Sequence, residues 1–69
     1  MNKRELRAKI LAYIPRDRAV AASDVVATLR LPQALVWSEI VVMAMEGIVT
    51  TDTPRGAYDG RAMVRRLAP

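Results

Sequence analysis

The stretch that decides the fold is LPQALVWSEIVVMAMEGIV, residues 31–49. It opens with Leu31-Pro32, and proline is well tolerated in a turn or at the first position of a helix. Near its end stands Gly47, and glycine is the residue type that most often follows the last turn of a helix. Between them, Val36, Ile40 and Met43 are spaced by four and three residues, as on one face of a helix. The segment predicts a tight turn followed by a helix over about residues 33–46.

Upstream, a first helix is predicted over residues 3–14. Its apolar side chains recur at helical spacing on one side, and they are Leu6, Ile10, Tyr13 and Ile14. Pro15 ends it, because the residue before a proline is disfavoured in the helical region. Tyr13 is therefore expected to lie on the core side.

A second, shorter helix is predicted over about residues 23–30. Ser23 is a favoured N-cap, and Asp24 suits the positive end of the helix dipole. Residues 19–22, just before it, are compatible with a very short strand.

After Gly47 the residue pattern changes from helical spacing to strand-forming and turn-forming residues. Residues 48–51 are Ile-Val-Thr-Thr, β-branched throughout, and predict a strand. Residues 52–60 are rich in turn formers, and residues 61–67 alternate loosely enough to pair back as a second strand. A C-terminal β-hairpin is expected. Tyr58, in its loop, either folds back onto the hairpin or contacts a ligand.

Helix, short helix, tight turn, longer helix and hairpin is the order found in winged helix-turn-helix domains. Residues 31–49 resemble the core of bacterial and archaeal winged-helix transcriptional regulators. In that pattern apolar residues spaced four, three and four apart lead to a glycine and two apolar residues that start the wing. Here these positions are Val36, Ile40, Met43, Gly47, Ile48 and Val49. The resemblance implies an α+β fold, with three helices followed by a two-stranded β-hairpin wing, in a single domain over residues 1–69.

The resemblance also implies a function in double-stranded DNA binding. The third helix would enter the major groove, and the wing would follow phosphates or the minor groove. The expectation is a sequence-selective or shape-selective regulator of transcription, acting as a small homodimer. Carried across residue by residue, the DNA-binding positions are Ser23, Arg30, Gln33, Ala34, Trp37, Ser38, Arg55 and Arg61.

Two features of the third helix depart from that pattern. It has no Lys or Arg, and its charged residues are Glu39 and Glu46, so the common arginine–guanine contact is not available from it. It is also apolar nearly all round, with Trp37 on a flank, which is typical of a helix covered on more than one side. The alternative hypothesis is therefore a winged-helix adaptor or inhibitor that uses this helix to bind a protein or a second copy, through Leu35, Val41, Val42 and Met45.

The amino-acid composition excludes several kinds of catalytic and metal site. The 69 residues contain no Cys and no His, which excludes a zinc finger, a cysteine nucleophile and a histidine base. With no glycine-rich phosphate loop either, we expect no enzyme activity, metal or cofactor. The N-terminal segment has no uninterrupted apolar run of the signal-peptide kind, and the longest apolar run, residues 40–45, is far shorter than the roughly 20 residues of a membrane span. A cytoplasmic location without membrane contact is the expectation.

The net charge of +4 is unevenly distributed. Residues 1–18 carry six cations against two carboxylates, residues 19–50 one against three, and residues 51–69 four against two. Both ends are therefore basic and the middle is acidic. A basic end is either a solvated face or a surface that meets phosphates.

Overall fold

Proline, glycine and the β-branched segments divide the chain into helices and strands. The computed structural model describes residues 2–52 and 57–67. The elements are α1 (Lys3–Tyr13), β1 (Val20–Ala21), α2 (Ala22–Leu29), α3 (Gln33–Met45), β2 (Val49–Thr51) and β3 (Met63–Arg66). The predicted α+β class is confirmed, and each predicted element is present within two residues of its expected bounds. None of the three helices is long and apolar enough to cross a membrane within the described part of the chain.

The sheet has three strands, because β1, at residues where a very short strand was expected, pairs with β3; the predicted two-stranded wing is not confirmed as such. The antiparallel order is β1-β3-β2, with Val20 opposite Val64 and Thr50 opposite Arg65. A lone hairpin would leave one edge of β3 without backbone partners and is marginally stable in water. The short β1 pairs with that edge and helps to bury Val64 completely.

Side chains satisfy both ends of α1. The Asn2 side chain accepts a hydrogen bond from the Glu5 amide at 2.9 Å, which makes Asn2 the N-cap. At the other end the guanidinium of Arg66 donates to the Ile14 carbonyl at 2.8 Å and to the Leu11 carbonyl. A cation there also complements the negative end of the helix dipole. The Arg66 guanidinium is thus engaged in hydrogen bonds within the fold, whereas its neighbour Arg65 is exposed.

The start of α2 differs from the prediction that Ser23 is its N-cap. The helix begins at Ala22, its N-cap is Ala21, and no side chain caps it. The amides of Ala22 and Ser23 donate to the carbonyls of Ala62 and Gly60, at 2.8 and 3.1 Å. Because β1 runs directly into the helix, the chain before β3 supplies the acceptors that a serine hydroxyl was expected to provide.

The end of α3 is as predicted. Gly47 has φ +79°, and its amide donates to the Ala44 carbonyl at 3.2 Å. The Ile48 amide donates to the Met43 carbonyl at 2.9 Å. This pair of bonds is the Schellman motif, which turns the chain out of the helix and into β2.

The core lies between the three helices and one face of the sheet. Its fully buried large side chains are Ile10, Ile14, Val25, Val36, Ile40, Met43, Val49 and Val64. The inward positions predicted for α3 are therefore confirmed. Trp37 joins this cluster, with only 4% of its surface exposed, and Tyr13 packs against it as expected.

Candidate functional site

The exposed side of α3 is a stripe without charge. At about 100° per residue, six residues fall within roughly a third of the helix circumference. Four of them are exposed and two, Val41 and Val42, are half-buried. We call this surface the outward stripe, and its members are Ala34, Leu35, Ser38, Val41, Val42 and Met45. Leu35 is 47% exposed and Met45 is 81% exposed, so the stripe presents large apolar side chains to solvent.

Both carboxylates of α3 lie on one flank of the stripe and face α1. Arg7 Nε donates to Glu39 Oε2 at 2.7 Å, and Arg7 Nη1 donates to Glu46 Oε1 at 2.8 Å. Glu39 is only 2% exposed, although it is ionisable. The hydrogen bond to Glu46, and then the one to Glu39, raise the pKa of the Arg7 guanidinium above its ordinary value. Both carboxylates thus share a single cation, which offsets one of their two charges, and the Glu46 side chain stays 48% exposed.

Removing Arg7 is expected to destabilise the protein through Glu39. In Arg7→Met the carboxylate of Glu39 stays buried without its cation, an arrangement that costs more than the intact pair contributes. The urea midpoint should fall well below that of Lys9→Met, a matched change elsewhere on α1. The double variant Arg7→Met/Glu39→Leu should recover most of the loss. Equal midpoints for Arg7→Met and Lys9→Met would contradict the pairing.

The positive charge of Arg7 in these contacts is expected to persist up to strongly alkaline pH. A raised pKa means that the stabilisation from Arg7 is present below its ordinary value and is lost only as pH rises through the raised value. That loss lies in strongly alkaline solution.

The other flank of the stripe is closed by an aromatic pair. The rings of Trp37 and Tyr58 meet edge to face, with centroids 6.0 Å apart and planes at 78°. Tyr58 is half-buried, so of the two alternatives it folds back onto the protein. Gly60 makes room for it, because a Cβ there would lie 3.1 Å from the Tyr58 hydroxyl oxygen.

An open apolar groove runs between this pair and the stripe. Its volume is about 470 Å³, and its lining residues are Ala34, Trp37, Ser38, Val41, Val42, Ala57 and Tyr58. Trp37 was expected as a DNA contact on a flank of α3, but nearly all of its surface lies in the core. Its role at the site is to form the floor of the groove.

One basic residue lies beside the uncharged stripe. Lys3 lines a crevice together with Leu35, Ser38 and Glu39, so this basic residue adjoins the stripe. Arg7 and Arg66 are engaged in the contacts described above. The other described basic residues are all exposed, and they are Lys3, Arg4, Lys9, Arg16, Arg18, Arg30, Arg61 and Arg65. Arg55, expected in the wing, lies outside the described residues.

The remaining expected DNA-binding positions are at the surface. Gln33 is exposed at the first turn of α3, and Ser38 is exposed at the middle of the stripe. Ser23 is exposed, but its amide is already donated to Gly60. Arg61 follows Gly60 in the chain, and its amide donates to Asp59 Oδ1 at 2.9 Å.

Comparisons of the chain with known protein families, with curated proteins and with solved structures found no match.

Proposed function

We propose that this chain is a winged helix-turn-helix protein that binds double-stranded DNA as a small homodimeric regulator of transcription. The order of elements supports this reading, since a short helix, a three-residue turn and a longer helix precede an antiparallel β2–β3 pair. The observation that carries the proposal is the pairing of Glu39 and Glu46 with Arg7. One guanidinium offsets one of the two carboxylates, which lowers the electrostatic cost of placing α3 against phosphates.

Affinity would come mainly from phosphates. Lys3, beside the stripe, and the exposed Arg61 are the cations we expect to meet them. Each phosphate neutralised on B-DNA contributes about −0.9 to the slope of log affinity against log salt. With about four phosphate contacts per subunit, a slope near −4 per subunit is expected.

Sequence-specific recognition of bases by α3 would be modest. Gln33 is suited to adenine, Ser38 is permissive, and Ala34 or Val41 suits a thymine methyl group. With no arginine on α3, much of the preference would come from the shape and deformability of the duplex.

A second candidate function rests on the outward stripe itself. Met45 and Leu35 are large, apolar and exposed, and the stripe carries no charge; fully buried interface cores are depleted of charged residues and enriched in Met. In this alternative the domain is an adaptor or inhibitor whose α3 docks on a protein or a second copy.

The two candidates predict opposite effects of a cation on the stripe. Met45→Lys should leave duplex binding intact or strengthen it severalfold in the DNA-binding candidate, because it adds a contact of the phosphate-neutralising kind. In the second candidate, with a second copy as the partner, the change should abolish the association of two copies, measured by light scattering. Met63→Lys, on β3 and 40% exposed, is the matched control. Val41 is unsuitable for this test because it packs against the core.

A further inference from the structure

The segment that leads into β3, residues 58–62, is held by contacts at both of its ends. At one end the Tyr58 ring meets the Trp37 ring of α3 edge to face, with centroids 6.0 Å apart. At the other end the Ala62 carbonyl accepts a hydrogen bond from the amide of Ala22, the first residue of α2, at 2.8 Å. The segment therefore contacts both helices of the proposed helix-turn-helix unit.

Hydrogen bonds inside the segment fix its course between these ends. The Asp59 side chain accepts a bond from the Arg61 amide at 2.9 Å, which is an Asx turn. The Asp59 carbonyl accepts a bond from the Ala62 amide at 3.1 Å, and the Gly60 carbonyl accepts one from the Ser23 amide at 3.1 Å. With these backbone groups paired, the turn has little freedom to change its conformation.

Tyr58 supplies the contact of this segment with α3. Its ring is half-buried, and its hydroxyl oxygen lies over Gly60, where a Cβ would come within 3.1 Å of it. The same Cβ would come within 3.2 Å of the Ser23 Cβ, so the hydroxyl end of the ring lies near the start of α2. Because an edge-to-face pair has a specific geometry, the ring restrains the distance between the segment and α3.

The side chain that this segment presents to solvent is Arg61. It is exposed, and in the described part of the chain its guanidinium makes no hydrogen bond or ion pair. A cation on a backbone that is fixed relative to α3 meets a phosphate without first ordering a loop, which lowers the entropic cost of the contact. On a loose loop the same cation would contribute less.

We propose that Tyr58 is a positioning residue, which acts through its contact with Trp37 and holds Arg61 in place for a phosphate of the duplex when α3 is docked. This inference rests on the proposed DNA-binding function and gives Tyr58 a part in it without any contact between the tyrosine and DNA.

The test is a set of double-mutant cycles in the full chain. Tyr58→Leu removes the ring and keeps an apolar side chain. Tyr13→Leu is the matched control, because Tyr13 is the other tyrosine and packs against the core from α1. Arg61→Gln and Lys3→Gln are each introduced into the unmodified protein and into both tyrosine variants. Affinity for a random duplex is measured by fluorescence anisotropy at several salt concentrations, and thermal midpoints show which variants are folded.

Tyr58→Leu alone should weaken binding severalfold, although it changes no charge. Arg61→Gln should weaken binding by the unmodified protein severalfold and reduce the salt slope by about 0.9, the value for one phosphate. In the Tyr58→Leu background the same change should cost less than about twofold, because the two residues then act as one unit. In the Tyr13→Leu background it should have its full effect.

Two controls separate positioning from a general loosening of the fold. Lys3→Gln should cost the same affinity in all three backgrounds, because Lys3 lies on α1. Tyr58→Phe keeps the ring and should bind as tightly as the unmodified protein. If Tyr58→Leu does not fold, the cycle is run on Gly60→Ala, whose Cβ displaces the Tyr58 hydroxyl while the ring is retained, and the cost of Arg61→Gln should again be reduced.

Three results would overturn the inference while the unmodified protein still binds duplex, so that the proposed function would stand. The first is an equal cost of Arg61→Gln in every folded background, which would leave Tyr58 a packing residue only. The second is an equal reduction of the Arg61→Gln and Lys3→Gln costs by Tyr58→Leu, which would indicate general loosening. The third is no effect of Arg61→Gln in the unmodified protein. Failure of the unmodified protein to bind duplex would remove the function and the inference together.

Discussion

Trp37→Ala is expected to unfold a large fraction of the protein at room temperature. The ring is 4% exposed, and truncating a buried aromatic to alanine costs about 3–5 kcal/mol. In a chain of 69 residues a single hydrophobic core rarely supplies more than about 3–5 kcal/mol of stability. The change therefore removes most of the stability, and the Tyr58 ring also loses its edge-to-face partner.

Urea denaturation followed by far-UV circular dichroism measures this effect. Leu35→Ala is the control on the same helix, because Leu35 is about half exposed and its truncation should cost far less. Trp37→Phe should retain most of the stability. If Trp37→Ala were as stable as Leu35→Ala, the ring would not belong to the core. The expectation that Trp37 contacts DNA directly would then be favoured again.

Reversing charge at Lys3 and Arg61 together is expected to weaken duplex binding by on the order of a hundredfold at low salt. Each change removes one phosphate contact and adds a repulsive carboxylate, and each tenfold loss corresponds to about 1.4 kcal/mol. Because phosphates carry no sequence information, the loss should be the same for all duplexes. Both side chains are exposed, so the fold should persist.

The matched control is Lys9→Glu/Arg16→Glu, which changes the net charge equally at two other exposed positions. Fluorescence anisotropy of labelled duplexes at fixed salt gives the affinities, and thermal midpoints show that the two double variants stay folded. Equal losses in the two double variants would mean that only the net charge matters and that the cations are misassigned.

Local signals in the sequence were sufficient to predict the elements. Pro15 and Gly47 end their helices where expected, and the four-three spacing of Val36, Ile40 and Met43 identified the inner face of α3. Such signals act within one or two helical turns, so they can be read from neighbouring residues alone.

Contacts between distant residues were not predictable in this way. Glu39 looked like an unfavourable charge on a DNA-facing helix, whereas its partner Arg7 lies 32 residues away on α1. The capping of α1 by Arg66 spans 52 residues, and the pairing of β1 with β3 joins residues more than 40 apart. A buried carboxylate in an otherwise apolar helix is itself a signal that a cation lies nearby.

The assignment of Ser23 as an N-cap failed for a related reason. Serine before an apolar run is a good local signal for an N-cap, but α2 begins one residue earlier, directly after β1. The first two amides of α2 donate hydrogen bonds to carbonyls just before β3. Tertiary contacts replaced the cap that local chemistry favoured. For Trp37, the helical period placed it on a flank, and only the packing of Tyr58 from the hairpin loop shows that this flank is covered.

The affinity of the unmodified protein for a labelled random duplex, measured by fluorescence anisotropy at about 50 and about 200 mM salt, tests the central claim most directly. The expected result is micromolar or tighter binding at the lower salt and a steep loss at the higher one, with a slope near −4 per subunit when light scattering gives the subunit number. Absence of binding at low salt by a folded protein would contradict DNA binding and would favour the alternative in which the outward stripe binds a protein.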